Sequence, residues 1–239
     1  MLNLKKGFIY LACTPIYLLS LLVIRKKNLW IFSAWYGRKY GDNPRYLYEY
    51  ASQQTDGVVV FWITKSLQEC REIKSAGVQA IYCYSVKGLW LQLRAGTAIC
   101  SHSISDEFIP WLINRKARKV NLWHGVPLKK IGKDVNSRKE GFLKNLINFF
   151  FPYNYENYFL FASTSTKTNS IYEYSFTVPI NRIQAFGYPR NDHLCMQESV
   201  DEALRVSNEK RLILYAPTYR NKVFTTLLTI NDLQEIEEI

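Results

Sequence analysis

Short, unbroken apolar runs recur along this chain, and stretches with helical periodicity separate them. Leu29–Ser33, Val58–Ile63, Val78–Tyr82, Thr97–Cys100, Val120–Trp123, Tyr158–Ala162, Ile183–Phe186 and Leu212–Ala216 are each four to six residues long. They do not alternate polar with apolar, so each reads as a strand buried on both faces. Helices are predicted over Lys65–Ser75, Val86–Arg94, around Lys167–Tyr174 and over Glu198–Asn208, with an apolar helical segment from Phe142 to Phe151. Asp42 or Asn43 is placed to cap a further helix that opens near Pro44. Strands alternating with helices specify a doubly wound parallel sheet, here over residues 28–195. No internal repeat or low-complexity linker interrupts it.

The most chemical of the strand ends is Asn121–Gly132 (NLWHGVPLKKIG). It delivers an imidazole (His124), a bare backbone (Gly125) and two cations (Lys129, Lys130) to one place. Histidine titrates near neutral pH and can act as a base. Glycine lets a ligand approach, and lysines offset developing negative charge. Taken alone, His124 equally suits a strand-end histidine satisfied by backbone, and Lys129 and Lys130 equally suit a solvated face. Two further segments carry the same flavour: FGYPRND at Phe186–Asp192 and ILYAPTYR at Ile213–Arg220. In the first, Arg190 can clamp a phosphate with two donors, whereas Asp192 suits a helix cap. In the second, Thr218 and Arg220 follow a strand, where a phosphate could be met. His102 lies between Cys100 and Ser103 just after a strand, but no second ligand stands at metal-site spacing.

Charge narrows the partners. The chain carries a formal net charge of +11. Residues 1–30 hold five Lys/Arg and no acid, and residues 112–152 hold ten against Asp134 and Glu140. Such clustering suits anionic lipid, a phosphate polymer or a nucleotide. Nucleic acid fits poorly, because the aromatics sit in apolar runs and not in an exposed basic stripe. Phe8–Ile24 is uncharged and flanked by Lys5, Lys6, Arg25, Lys26 and Lys27. It is short for a membrane span, broken by Pro15, and lacks a small-residue cleavage site. Residues 1–27 are therefore read as a helix lying in the headgroup region of an anionic leaflet, the alternative being a buried helix with solvated ends. The five cysteines are odd in number and contain no C-x-x-C, which suits reduced thiols in a cytosolic compartment.

WHGVPLKK, FGYPRND and APTYR, in that order, closely resemble the CDP-glycerol glycerophosphotransferase family, which builds glycerol-phosphate polymers of the teichoic-acid type. The family's usual run is Trp-His-Gly-Thr-Pro-Leu-Lys, and Val126 replaces its Thr. Gly37–Tyr48 (GRKYGDNPRYLY) resembles its first strand-to-helix turn, so the likeness covers roughly residues 28 to 220. It implies a glycosyltransferase-B-like fold: two Rossmann-like domains facing a cleft, an acceptor-side domain over 28–195 and a nucleotide-binding domain from 196. It implies transfer of glycerol phosphate from CDP-glycerol to a lipid-linked (poly)glycerol-phosphate acceptor, with release of CMP. His124 would be the base. Gly125, Lys129, Lys130, Arg190, Asn191, Thr218 and Arg220 would bind substrate or phosphate. No cofactor is expected beyond a divalent ion accompanying the donor diphosphate, and no metal site in the protein. The expected location is the cytoplasmic face of the cell membrane, held peripherally.

Only 23 residues follow Leu212–Ala216, and the family's second catalytic histidine and its later phosphate-binding run have no counterpart. The chain is therefore expected to look C-terminally truncated and to show little transfer by itself. Two alternatives stay open: a related nucleotide-sugar glycosyltransferase of the same fold, and a non-catalytic membrane-associated polyanion binder.

Overall fold

A computed structural model of the chain describes residues 4–54, 56–134 and 156–196. Met1–Gln197 is one compact unit and Glu198–Ile239 a second, and the description is of the first. The expected helix over 142–151, everything expected after residue 197, and Thr218 and Arg220 lie outside the described residues.

Seven strands form one sheet: β1 (Lys26–Phe32), β2 (Val59–Thr64), β3 (Ala80–Tyr82), β4 (Ala95–Cys100), β5 (Arg118–Asn121), β6 (Leu160–Ser163) and β7 (Ile183–Ala185). Their order is β3-β2-β1-β4-β5-β6-β7, and every pairing is parallel. Among the described residues the α-helices are α1 (Leu4–Ser20), α2 (Asp42–Gln54), α3 (Leu67–Ser75), α4 (Val86–Arg94), α5 (Ile104–Glu107), α6 (Thr166–Phe176) and α7 (Pro189–Met196). Serine caps start three of them: Ser66 accepts from the Glu69 N–H, Ser85 from Gly88, and Ser103 from Asp106.

The pleat sends neighbouring residues into opposite cores. Ile31, Ile63, Ala98, Cys100 and Phe161 pack on one face, with Leu91 of α4, Ile104 of α5 and Tyr172 of α6. Phe32, Trp62, Ile99 and Ala162 pack on the other, with Tyr48 and Ala51 of α2 and Cys70 and Ile73 of α3. The apolar runs are thus buried on both faces, as their lack of alternation requires. Gly96 is the tightest point of the sheet, because a Cβ there would stand 2.4 Å from the Lys26 carbonyl oxygen on β1.

The strand order reverses between β1 and β4. From β1 the chain winds outward through β2 and β3, then returns to the other side of β1. Loops diverge at such a reversal and leave a crevice outside the carboxyl ends of the strands, where open α/β sheets receive ligands.

Apart from strand ends shifted by one or two residues and the unforeseen α5, three elements differ from their sequence reading. β1 begins three residues earlier than expected, taking Lys26 and Lys27 into the sheet. β5 stops at Asn121, because Trp123 turns the chain with a φ of 52°. FGYPRND is more than a turn: Pro189, preset for a first helical turn, opens α7.

α1 rests on the domain by one side. Cys13, Tyr17 and Ser20 are buried, Trp111 packs against the first two, and the Asn114 side chain donates to the Ser20 carbonyl at 2.7 Å. Ile16, Leu18, Leu19, Leu22 and Ile24 are exposed. Arg25 is a correction to the reading of a uniformly basic flank. Its guanidinium turns inward to the carbonyls of Gln92, Ala95 and Leu112 and the Asn114 side chain, and burial pulls its pKa down to about 10. Among the described residues no helix is long and apolar enough to cross a membrane.

Candidate active site at the ends of β4 and β5

His124 stands just past β5, beside the strand reversal. Its Nδ1 lies 3.1 Å from the Ser101 carbonyl oxygen. A carbonyl only accepts, so Nδ1 carries the proton and the neutral ring keeps its lone pair on Nε2. Burial pushes the imidazole below its ordinary pKa. The Ser101 bond pulls it back up, neighbouring His102 pushes it down, Asp42 raises it and Arg190 lowers it. The net direction is downward, which keeps His124 unprotonated at neutral pH and competent as a base.

The loop that carries it is tightly held. Trp123, bulky and in the left-handed region, is costly there and needs surrounding contacts to persist. Asn43 of α2, fully buried, supplies two, donating to the Leu122 and Trp123 carbonyls at 3.2 and 2.8 Å. Arg190 of α7 supplies a third from its Nη1, which donates to the His124 carbonyl at 2.9 Å and to Asp42 Oδ1 at 2.8 Å. Tyr172 donates to the Gly125 carbonyl at 3.3 Å. Asp42 is itself at φ 61°, and its Oδ2 is buried without a hydrogen-bond partner. The sequence reading made Asp42 or Asn43 a helix cap. In the fold, Asp42 Oδ1 accepts from the Asn43 N–H at the start of α2, at 2.8 Å, and from Arg190 as well, while the Asn43 side chain reaches to the His124 loop.

A second histidine shares the site. The His102 ring stacks on His124 with centroids 4.2 Å apart and planes 17° from parallel. Its Nδ1 lies 2.9 Å from Ser101 Oγ and 3.4 Å from the Glu107 carboxylate. Glu107, fully buried in α5, accepts from the Ser101 N–H, the Ser101 hydroxyl and the His102 N–H. Because the serine hydroxyl gives its proton to Glu107, its oxygen receives from His102 Nδ1–H. Burial raises the Glu107 pKa, while bonds from His102 and Ser101 draw it down. Every group around it donates, the pattern a carboxylate satisfies. Asn121 joins the two loops, donating to the His102 carbonyl at 2.7 Å and accepting from the Trp123 N–H at 2.8 Å. Trp35 and Tyr36, both at positive φ, place their rings 5.1 and 4.4 Å from His102.

His124, Gly125 and Arg190 are therefore brought together. Arg190 contributes through Nη1 as a brace, while its Nη2 faces Gly125, 3.9 Å from where a Cβ there would sit. Asn191 is exposed on α7, and Lys129 and Lys130 are exposed further along the His124 loop. The sequence reading missed Glu107 and set His102 aside. The signal was available: an apolar strand run ending in histidine occurs at both Ile99–His102 and Leu122–His124. Among the described residues no group of three or more His, Cys, Asp or Glu side chains could hold a metal ion.

Residues 16–238 match the family described as CDP-Glycerol:Poly(glycerophosphate) glycerophosphotransferase. A teichoic acid glycerol-phosphate transferase of Staphylococcus aureus is 29% identical over 237 residues, covering 92% of this chain and 57% of that protein. A teichoic acid poly(glycerol phosphate) polymerase of Bacillus subtilis is 26% identical over 221 residues, covering 86% of this chain and 28% of the polymerase. Among solved structures, a variant of the wall teichoic acid polymerase TagF has a TM-score of 0.68 at 21% identity, over 98% of this chain and 60% of the other. A TagF variant soaked with CDPG for 15 minutes superposes equally well, at a TM-score of 0.68 and 21% identity, over 98% of this chain and 61% of the other. The chain thus spans about half, or less, of the curated relatives it matches. With the fold shared and the match running nearly end to end, this chain belongs to the CDP-glycerol:poly(glycerophosphate) glycerophosphotransferase family.

Proposed function

We propose that this chain forms the acceptor side of an enzyme that moves glycerol phosphate from CDP-glycerol to a hydroxyl of a lipid-linked (poly)glycerol-phosphate chain. One observation carries the reading: His124 donates Nδ1–H to a carbonyl, keeps a free Nε2 lone pair, and stands beside the strand reversal. Nε2 takes the proton of the attacking hydroxyl. Its oxygen bonds to the β-phosphorus, the bond from that phosphorus to the CMP oxygen breaks, and CMP leaves. Charge spreads over the non-bridging oxygens and the leaving group. Arg190, with Arg220 and Thr218 from the following segment, offsets it, and Asn191 and the Gly125 backbone line the approach. Lys129 and Lys130 draw in the polyanionic acceptor.

CMP release from CDP-glycerol with a lipid-linked acceptor tests the assignment, with a family donor domain appended where turnover requires one. His124→Gln lowers turnover about 10²–10⁴-fold, the usual worth of a general base, while the thermal transition is retained. Wild-type turnover in that variant would remove His124 from the chemistry.

The same reading puts the chain on the cytoplasmic face of the membrane, held peripherally by the exposed apolar side of α1 beside Lys26 and Lys27. Deleting residues 1–27 would cut into β1 and uncover Trp111 and Asn114, so surface changes are the cleaner probe. Leu19→Glu with Leu22→Glu shifts the protein from anionic vesicles to the supernatant in a flotation assay. Undiminished vesicle binding by that variant places the attachment elsewhere.

A further inference from the structure

Beside the histidine pair, the loops that follow β1, β2 and β3 and the helix α5 line an open cavity that the reaction at His124 leaves unused. It measures about 460 Å³ and is lined by Tyr36, Arg38, Lys65, Tyr84 and Asp106. The arrangement is built by the fold. The Lys65 stem packs on Gly37, at φ +73°, where a Cβ would stand 3.0 Å from Lys65 Cγ. The Lys65 N–H and the Thr64 hydroxyl both donate to the Gly37 carbonyl, at 2.6 and 2.9 Å, so the β1 and β2 loops are stitched together. Any residue but glycine at 37 would displace the lysine.

The charge pattern points to an anion. Lys65 is half-buried, and its Nζ meets the Asp106 backbone carbonyl at 2.6 Å, which uses one of its three protons. Arg38 is exposed on the same cavity; burial lowers the Lys65 pKa, Cys83 and the Asp106 and Glu107 carboxylates raise it, and Arg38 lowers it by less. The lining holds two cations against the single Asp106 carboxylate, so an anion between Lys65 and Arg38 gains contacts from both. The Asp106 carboxylate accepts from the Ser103 hydroxyl at 2.7 Å, on the side of its own helix start. The exposed Tyr36 and Tyr84 add hydroxyl donors. The Tyr36 ring touches His102, which stacks on His124, so two ring contacts separate the cavity from the reaction site.

We propose that this cavity is a phosphodiester subsite, which grips a phosphate within the acceptor chain while the terminal hydroxyl stands at His124. The assignment of the ligand to the acceptor rests on the function proposed above. The anion site itself rests on Lys65, Arg38 and Gly37.

The experiment measures equilibrium binding of glycerophosphoglycerol, a soluble diester, and of inorganic phosphate to the 239-residue chain by calorimetry. Lys65→Met keeps the stem on Gly37 and removes the charge. Together with Arg38→Gln it weakens diester binding at least about tenfold, the worth of one to two charge-assisted contacts. Arg38→Gln alone, at an exposed position, weakens it about threefold, so a folding defect at Lys65 does not leave the question open. Binding is read without turnover, so failure of the His124 base assignment in the CMP-release assay and failure of this site are separate results. Unchanged diester affinity in both cation variants overturns the site. Inorganic phosphate bound more tightly than the diester overturns its assignment to the acceptor.

Discussion

The loop after β4 and the loop after β5 bring identical side chains to one spot, yet they hold them by different means. His102 is fixed mainly from close by: Ser101 and Glu107 lie within five residues along the chain, and Asn121 adds one bond from the neighbouring strand. His124 is fixed from far away, by Asn43 and by Arg190, 66 residues later, around a backbone bend that a tryptophan tolerates poorly. One ring faces a carboxylate through a serine hydroxyl, and the other faces a carbonyl. Burial, with His102 and Arg190 close by, holds the His124 imidazole below its ordinary pKa and leaves it a neutral base. Environment divides the labour between residues of one type.

The sharpest break of that contrast is between the rings themselves. His102→Asn is expected to cost about tenfold in CMP release, as loss of a positioning contact, against the 10²–10⁴-fold for His124→Gln. Equal losses would mean that both histidines touch the reacting atoms.

The two clamps come next. Asp42→Ala strips the partner from Arg190, whose side chain is 35% exposed while that of Asp42 is 1% exposed. Breaking a fully buried pair costs about 3–5 kcal/mol, and partial exposure of the arginine brings the expected loss of unfolding free energy to about 2–3 kcal/mol. Relief of the positive φ does not offset it, since alanine is no better suited there. Glu107→Gln keeps the shape but turns an amide N–H toward the Ser101 N–H, for an expected cost of about 1–2 kcal/mol. Chemical denaturation orders the two. A larger cost at Glu107 would make the local clamp, and not the long-range one, the main restraint on the site.

That difference in reach also explains what the sequence disclosed. Strand positions were legible because unalternating runs such as Val58–Ile63 can only be buried on both faces. The His124 segment was legible because a motif announces itself in one stretch. Helix α7 was hidden behind a turn-like FGYPRND, since a proline marks helix starts and turns alike. Arg25 was read as a headgroup cation, because nothing local shows that the carbonyls of Gln92, Ala95 and Leu112 await it. Asn43 looked like a cap, because only tertiary structure brings the loop of residue 124 to it, and the second partner of Asp42, Arg190, was hidden for the same reason. Glu107 was the avoidable omission: its partners Ser101 and His102 are near neighbours in the chain.

The smallest expected effect is the finest probe of the comparison, a shift in the acid limb of the pH–rate profile. Burial lowers the His124 pKa, so the limb of kcat/KM lies below the ordinary histidine value of about 6.5. Four groups surround the ring: Ser101 and Asp42 raise its pKa, His102 and Arg190 lower it. His102→Asn removes a depressing neighbour, so the limb moves to higher pH. Asp42→Asn removes a raising one, so the limb moves to lower pH, in the opposite direction from a variant a few ångströms away. Stability follows the same sign. The unfolded chain takes up the proton first as pH falls, so the stability that neutral His124 contributes is complete above the unfolded pKa. It is lost as pH drops through the folded value, and His124→Gln abolishes that component. Limbs moving in the same direction in both variants would show that the titrating group is not His124, whatever the loss of rate in His124→Gln.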